Sequence, residues 1–141
     1  MIVLDTNVLS ALMQREPPAE VVGWLDEQPA DSIWITAITV FEIRFGIERL
    51  PAGRRRRRLE EAFDAALTED FGGRVLGFDQ SAAIEAGRMA ARQRRGGRPV
   101  EIRDVEIAGI VAARRCALAT RSQRHFEGLG LSLIDPWDPV S

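Results

Sequence analysis

Short apolar runs alternate with longer amphipathic segments along this chain, and the alternation predicts a parallel α/β sheet. The apolar runs are interpreted as buried strands because each is short and ends at polar or turn-forming residues. Such strands are predicted at residues 2–4, 32–35, 74–77, 116–120 and 131–134. Helices are predicted between them, at about residues 6–13, 18–25, 37–50, 54–67, 79–96 and 103–115. This order favours a three-layer α/β/α sandwich around a central parallel sheet of four to five strands.

The helix predicted at residues 37–50 contains an acidic residue among apolar ones. The side chains assigned to its buried side are Ile38, Phe41, Phe45 and Ile47. Glu42 lies within that stripe, where an unpaired carboxylate would be costly unless it met a cation. The alternative is an ion pair with Arg44 or Arg49 on an exposed helix face. We favour the interpretation of Glu42 as a ligand.

Composition and charge narrow the class of protein. The 141 residues fit one domain, 1–141, and the 45% apolar and 28% charged fractions are typical of a soluble globular protein. No apolar run approaches the roughly 20 residues needed to cross a bilayer, so we expect no membrane association and a cytoplasmic location. The net charge of −2 argues against a general nucleic-acid binder.

All 19 basic residues are arginines, and many of them cluster. The run at residues 54–58 extends round more than one helical turn, so it is interpreted as a solvated helix start. Arg121, at the end of the fourth predicted strand, is a candidate for holding an RNA phosphate. Trp24, Trp34 and Trp137 are interpreted as core or dimer-face residues rather than as base-stacking platforms.

Asp5 and Asp104 stand where predicted strands or helices end or begin. Asp5 follows the first strand, and in open α/β sheets ligands bind outside the carboxyl ends of the strands. Asp104 opens the helix predicted at residues 103–115. Helix capping explains either residue taken alone. If Asp5, Glu42 and Asp104 converge, their three carboxylates would repel one another, and this favours an oxygen-ligand site for a hard divalent cation.

The order and spacing of several segments resemble those of the PIN-domain ribonucleases, and more closely the VapC-type, FitB-like toxins of bacterial toxin–antitoxin pairs. The resemblance covers essentially the whole chain. Its segments are residues 2–7 (IVLDTN), 36–46 (TAITVFEIRFG), 103–108 (RDVEIA), 118–122 (LATRS) and 135–137 (DPW). It implies that Asp5, Glu42 and Asp104 bind Mg²⁺ or Mn²⁺ and hydrolyse RNA. It also implies a homodimer and a VapB-like antitoxin, with operator DNA bound only through the antitoxin complex.

Two positions depart from the family pattern. Ser122 stands where the family usually has Asp or Asn, which puts a tight second metal site in doubt. His125 stands where a further acidic residue often follows, and it is interpreted as an exposed or structurally bonded imidazole rather than a general base. Thr6 and Asn7, with Ser122, are expected to orient Asp5 or a bound water.

The predicted reaction is in-line attack on an RNA phosphodiester, with the cation lowering the pKa of water and polarising the phosphate. Ser122 is the feature that favours a rival, a catalytically weak PIN-like binding module that acts with an antitoxin on operator DNA. A phosphotransferase that uses Asp5 as nucleophile is disfavoured. Its pattern needs a second Asp where Asn7 stands, and the chain has no Walker A loop.

Overall fold

A five-stranded parallel sheet forms the centre of the computed structural model, which describes residues 1–139. The strand order is β3-β2-β1-β4-β5, so the first strand is central and pairs with both β2 and β4. The strands are β1 (Ile2–Leu4), β2 (Ile33–Thr36), β3 (Val75–Leu76), β4 (Ala117–Ala119) and β5 (Ser132–Ile134). The prediction of a central parallel sheet of four to five strands is confirmed.

Six α-helices lie in the described part of the chain, and the side chain of the residue before the helix caps three of them. The carboxylate of Asp5, the hydroxyl of Thr36 and the carboxylate of Asp79 each accept a hydrogen bond from a backbone N–H in the following first turn. The helices are α1 (Thr6–Leu12), α2 (Ala19–Asp26), α3 (Ala37–Glu48), α4 (Arg54–Ala65), α5 (Gln80–Arg95) and α6 (Ile102–Arg114). None of the helices formed by residues 1–139 is both long and apolar enough to cross a membrane.

The sheet separates two hydrophobic cores, because neighbouring strand residues point to opposite faces. Leu4 of β1 packs in the core that also contains buried side chains of α1 to α4. Val3 points the other way and packs with buried side chains of α5 and α6. The three-layer α/β/α architecture is therefore confirmed.

The predicted buried side of α3 is partly wrong. Phe41 and Phe45 are 57% and 48% exposed, and the buried residues are Thr39, Ile43 and Ile47. These three are spaced four residues apart and form one stripe, which α3 buries against the first core. The two phenylalanines stack on each other outside it, with ring centroids 6.0 Å apart.

Helices α5 and α6 are in direct contact at Gly109. A Cβ atom at this position would lie 2.4 Å from the carbonyl oxygen of Ala82 and 2.7 Å from the Cβ of Ala86. Only the absence of a side chain allows the backbones to come this close. The contact fixes the position of α6, whose first turn carries Asp104.

Candidate active site

Asp5 is buried at the carboxyl end of the central strand, with 4% of its surface exposed. One carboxylate oxygen, Oδ1, accepts from the backbone N–H of Thr6 at 2.8 Å, and the other, Oδ2, from the hydroxyl of Thr120 at 2.7 Å. The Thr120 hydroxyl also accepts from the side chain of Asn7 and the backbone N–H of Ser122. Because both are donors, its own proton is directed to Asp5. The chain thus fixes the orientation of this carboxylate.

Glu42 lies in the second turn of α3 and faces the same edge of the sheet. Its Oε1 accepts from the hydroxyl of Thr6 at 2.8 Å, and that hydroxyl lies 2.9 Å from the hydroxyl of Thr39. Since Thr6 donates to Glu42, Thr39 must donate to Thr6, and the hydroxyl of Thr36 completes the row at 3.5 Å from Thr39. A directed row of hydroxyls therefore ends on the Glu42 carboxylate.

The cation beside Glu42 comes from α6 rather than from α3. Nη1 of Arg103 lies 3.7 Å from Oε2 of Glu42. Arg44, one of the partners considered from the sequence, instead contacts Glu48 and Asp64, each at 3.5 Å. Glu42 is therefore held by residues distant in sequence, and not by a neighbour on its own helix.

Asp104 is half-buried in the first turn of α6 and is paired with a histidine. Nδ1 of His125 lies 2.9 Å from Oδ2 of Asp104. Burial raises the pKa of Asp104, and the neighbouring His125 offsets part of that rise. His125 is thus a bonded imidazole on a half-exposed side chain, as the sequence suggested.

The three carboxylates line one open groove with a volume of about 670 Å³. The pKa of Asp5 is raised to about 6, chiefly by burial and in smaller part by the nearby Asp104 and Glu42 carboxylates, while the hydrogen bonds from Thr120 and Thr6 oppose the rise. All predicted site residues line this groove: Asp5, Thr6, Asn7, Glu42, Asp104, Arg121 and Ser122. Residues that were not assigned to the site line it as well, among them Glu101, Arg103, His125 and Trp137.

Asn7 joins the end of β1 to the segment after β4. Its amide nitrogen donates to Ser122 Oγ at 3.0 Å and to Thr120 Oγ1 at 3.3 Å, and its Oδ1 accepts from the backbone N–H of Arg121 at 3.3 Å. The sequence did not single out Thr120. Its position could have indicated its role, because Thr120 directly follows β4 as Asp5 directly follows β1. Strands β1 and β4 are neighbours in the sheet, so their ends lie side by side.

The donor chemistry of the groove fits a hard divalent cation, since carboxylate oxygens are the ligands Mg²⁺ and Mn²⁺ prefer. Within residues 1–139, however, no three His, Cys, Asp or Glu side chains are already arranged to hold a metal. Glu42 is engaged with Arg103, and Asp104 with His125. The groove therefore supplies suitable oxygen ligands for a metal, but two of the carboxylates, Glu42 and Asp104, are paired with Arg103 and His125 of the same chain.

A parallel sheet in the order 3-2-1-4-5, with acidic residues at the carboxyl end of its central strand, defines the class of fold. The chain belongs to the PIN-domain family, whose model it matches over residues 2–129. It is 40% identical over 138 residues to the plasmid stability protein StbB of Pseudomonas syringae pv. tomato, covering 98% of this chain and 99% of that protein.

Two further comparisons agree with this assignment. The chain is 38% identical over 140 residues to the VapC ribonuclease Y4jK of Sinorhizobium fredii, covering 99% of this chain and all (100%) of that protein. Its fold is similar to the crystal structure of FitAcB from Neisseria gonorrhoeae, with a TM-score of 0.88 and 31% identity over 97% of this chain and 99% of that one.

Proposed function

We propose that this protein is a metal-dependent endoribonuclease that hydrolyses RNA phosphodiester bonds as the toxin of a toxin–antitoxin pair. The observation that carries the proposal is the groove in which Asp5, Glu42 and Asp104 lie together. Burial, with Asp104 and Glu42 nearby, raises the pKa of Asp5 to about 6, so the groove favours an added positive charge. Similarity to a protein named a ribonuclease supports the same reaction.

Asp5, Glu42 and Asp104 are the residues that would hold Mg²⁺ or Mn²⁺. Bound there, the ion would lower the pKa of the attacking water and polarise the scissile phosphate. Thr120 and Thr6 orient Asp5, and the row of threonine hydroxyls orients Glu42. These hydrogen bonds hold the carboxylates of Asp5 and Glu42 in place before the substrate arrives, which limits the reorganisation that metal binding requires.

Asn7, Ser122 and Arg121 also line the groove, and Asn7 shares the Thr120 hydroxyl with Asp5. The amide of Asn7 and the hydroxyl of Ser122, bonded to each other at 3.0 Å, can orient a water beside Asp5. The exposed guanidinium of Arg121 can receive an RNA phosphate in bidentate fashion. Ser122 is a weak ligand for a hard cation, so one tightly held ion rather than two is part of the proposal.

The test is cleavage of total RNA by purified, antitoxin-free protein with Mg²⁺ or Mn²⁺, and with EDTA. Asp5→Asn, Glu42→Gln and Asp104→Asn should each reduce cleavage to background while the protein stays folded. Glu106→Gln is the matched control, because Glu106 lies on the same helix as Asp104 but does not line the groove. Metal-independent cleavage, or full activity in folded Asp5→Asn protein, would refute the proposed site.

The partners follow from the same proposal. A VapB-like antitoxin would neutralise the protein in the cytoplasm, and operator DNA would be bound only through that complex. A homodimer is supported by Phe41 and Phe45, whose stacked rings are about half exposed on α3. Light scattering of the purified protein tests the dimer, and Phe45→Ser should increase the monomer fraction if these rings are covered in it. We propose one domain, 1–141, which limited proteolysis tests.

The second candidate is a catalytically weak PIN-like module that acts with an antitoxin on operator DNA. Ser122, in place of an acidic ligand, is the observation that favours it. The two candidates differ in one result: the weak module leaves total RNA intact at every metal concentration, while its antitoxin complex still binds operator DNA.

A further inference from the structure

Trp137 and Arg121 meet at the edge of the groove that holds the three carboxylates. The Arg121 guanidinium carbon lies over the Trp137 ring, 4.8 Å from its centroid. Both residues line the groove. The arginine is exposed and the tryptophan half-buried. An exposed arginine that lies over an aromatic face is restricted in orientation, because the ring attracts the cation and favours a flat approach.

The backbone on both sides of this pair is fixed. The N–H of Trp137 donates to Oδ1 of Asp135 at 2.9 Å, which closes a turn around buried Pro136. The N–H of Arg121 donates to Oδ1 of Asn7 at 3.3 Å, so Arg121 is tied to the segment that carries Asp5. The indole packs against the core that contains α1 to α4 and is thereby held in place.

The charge around Arg121 differs from that around the other arginine of the groove. Arg103 faces Glu42 at 3.7 Å and Glu101 at 4.0 Å, so its charge is partly neutralised by carboxylates. Arg121 faces an aromatic ring, which directs the guanidinium without neutralising it. A planar cation held in this way retains its N–H donors for a ligand with two acceptor oxygens, which a phosphate provides.

We propose that Trp137 positions Arg121 as a phosphate-binding subsite for single-stranded RNA, apart from the phosphate that reacts at the carboxylates. This rests on the proposed function. Trp137 is therefore a positioning residue, and not only the core or dimer-face residue that the sequence suggested. The indole supplies a rigid platform, and Arg121 supplies the charge.

The test measures the affinity for a fluorescently labelled single-stranded RNA by anisotropy. The measurement is repeated at several salt concentrations from about 50 to about 200 mM. An Asp5→Asn background keeps the RNA intact. Loss of one phosphate contact should reduce the slope of log affinity against log salt by about 0.7. Arg121→Gln and Trp137→Leu should each reduce it by this amount, and the double variant should reduce it no further.

Three variants separate positioning from packing and from net charge. Trp137→Phe keeps an aromatic face and should keep the slope, and Arg121→Lys should keep the slope but bind several-fold more weakly, since it loses the planar fork. Arg88→Gln removes the same charge from α5, outside the groove, and should leave the slope unchanged. If Trp137→Leu does not fold, the cycle is completed with Trp137→Met, which also removes the aromatic face and should reduce the slope only when Arg121 is present.

The outcomes distinguish this inference from the proposed function. If the RNA is neither cut by the unmodified protein nor bound by Asp5→Asn protein, the proposed function fails. If RNA is bound and Arg121→Gln leaves the salt slope unchanged, the subsite is refuted. A reduced slope in Arg121→Gln together with unchanged slope and affinity in folded Trp137→Leu would refute the positioning role of Trp137.

Discussion

Replacing Asp5 with asparagine should stabilise the metal-free protein at neutral and alkaline pH. The pKa of Asp5 is raised from 3.8 to about 6, chiefly by burial. Since a tenfold change in an ionisation constant corresponds to about 1.4 kcal/mol, ionised Asp5 costs the folded state about 3 kcal/mol. Asparagine keeps the size of the side chain and carries no charge, so it avoids this cost.

The gain depends on pH in a defined direction. Below pH 3.8 the carboxyl is protonated in both the folded and the unfolded chain, so the charge costs nothing. As the pH rises from there through about 6, the unfolded chain releases the proton first, and the unmodified protein loses stability relative to the variant. Asparagine replaces one accepted hydrogen bond at Thr120 with a poorer contact, which costs about 1 kcal/mol. The net gain at pH 8 should be about 2 kcal/mol.

Urea denaturation in EDTA, repeated from pH 4 to pH 8, measures this difference directly. Asp79→Asn is the control, because Asp79 also caps a helix but its side chain is half-exposed, and it should show no comparable gain. Added Mg²⁺ should stabilise the unmodified protein and not Asp5→Asn. An Asp5→Asn protein that is less stable at pH 8, or a difference that does not change with pH, would refute the reasoning.

Three further changes test other parts of the site. Ser122→Asp adds a carboxylate to the groove, so half-maximal cleavage should occur at lower Mn²⁺ with unchanged cut sites, as a metal titration measures. Arg103→Gln removes the cation 3.7 Å from Glu42, so calorimetry should show Mg²⁺ binding several-fold tighter, and weaker or equal binding would contradict that competition. Gly109→Ala would place a Cβ 2.4 Å from the carbonyl oxygen of Ala82, so the free energy of unfolding should decrease by about 1–3 kcal/mol. Thermal melting measures this loss, and an unchanged melting temperature would show that α6 can move away from α5 at no cost.

The sequence predicted the features of the fold that have a local cause. Strand and helix positions follow from the spacing of apolar residues, and the capping role of Asp5 follows from its place directly before a helix. The placement of Asp5 at a ligand-binding edge follows from the rule for open α/β sheets. The exposure of Phe41 and Phe45 was missed, because a helix with apolar residues on more than one side does not reveal which side is covered.

The missed parts of the site depend on contacts between distant segments. Thr120 binds Asp5 across 115 positions in the chain, and this contact exists because β4, rather than β3, lies beside β1. His125 and Arg103 pair with Asp104 and Glu42 through the packing of α6, which no local pattern encodes. Strand order, and therefore these pairings, is a property of the whole chain.

The carboxylates of the groove are carried by elements that pack on opposite faces of the sheet. Asp5 begins α1, which packs in the first core, and Asp104 lies on α6, which packs in the second. A ligand that binds both carboxylates would add a second link between the two helix layers, which meet at this edge of the sheet through the Arg103–Glu42 pair. Opening of α6 would then require release of that ligand, so amide hydrogen exchange in α6 would slow when the groove is filled. Occupancy of the groove and the rigidity of the α5–α6 pair would therefore increase and decrease together.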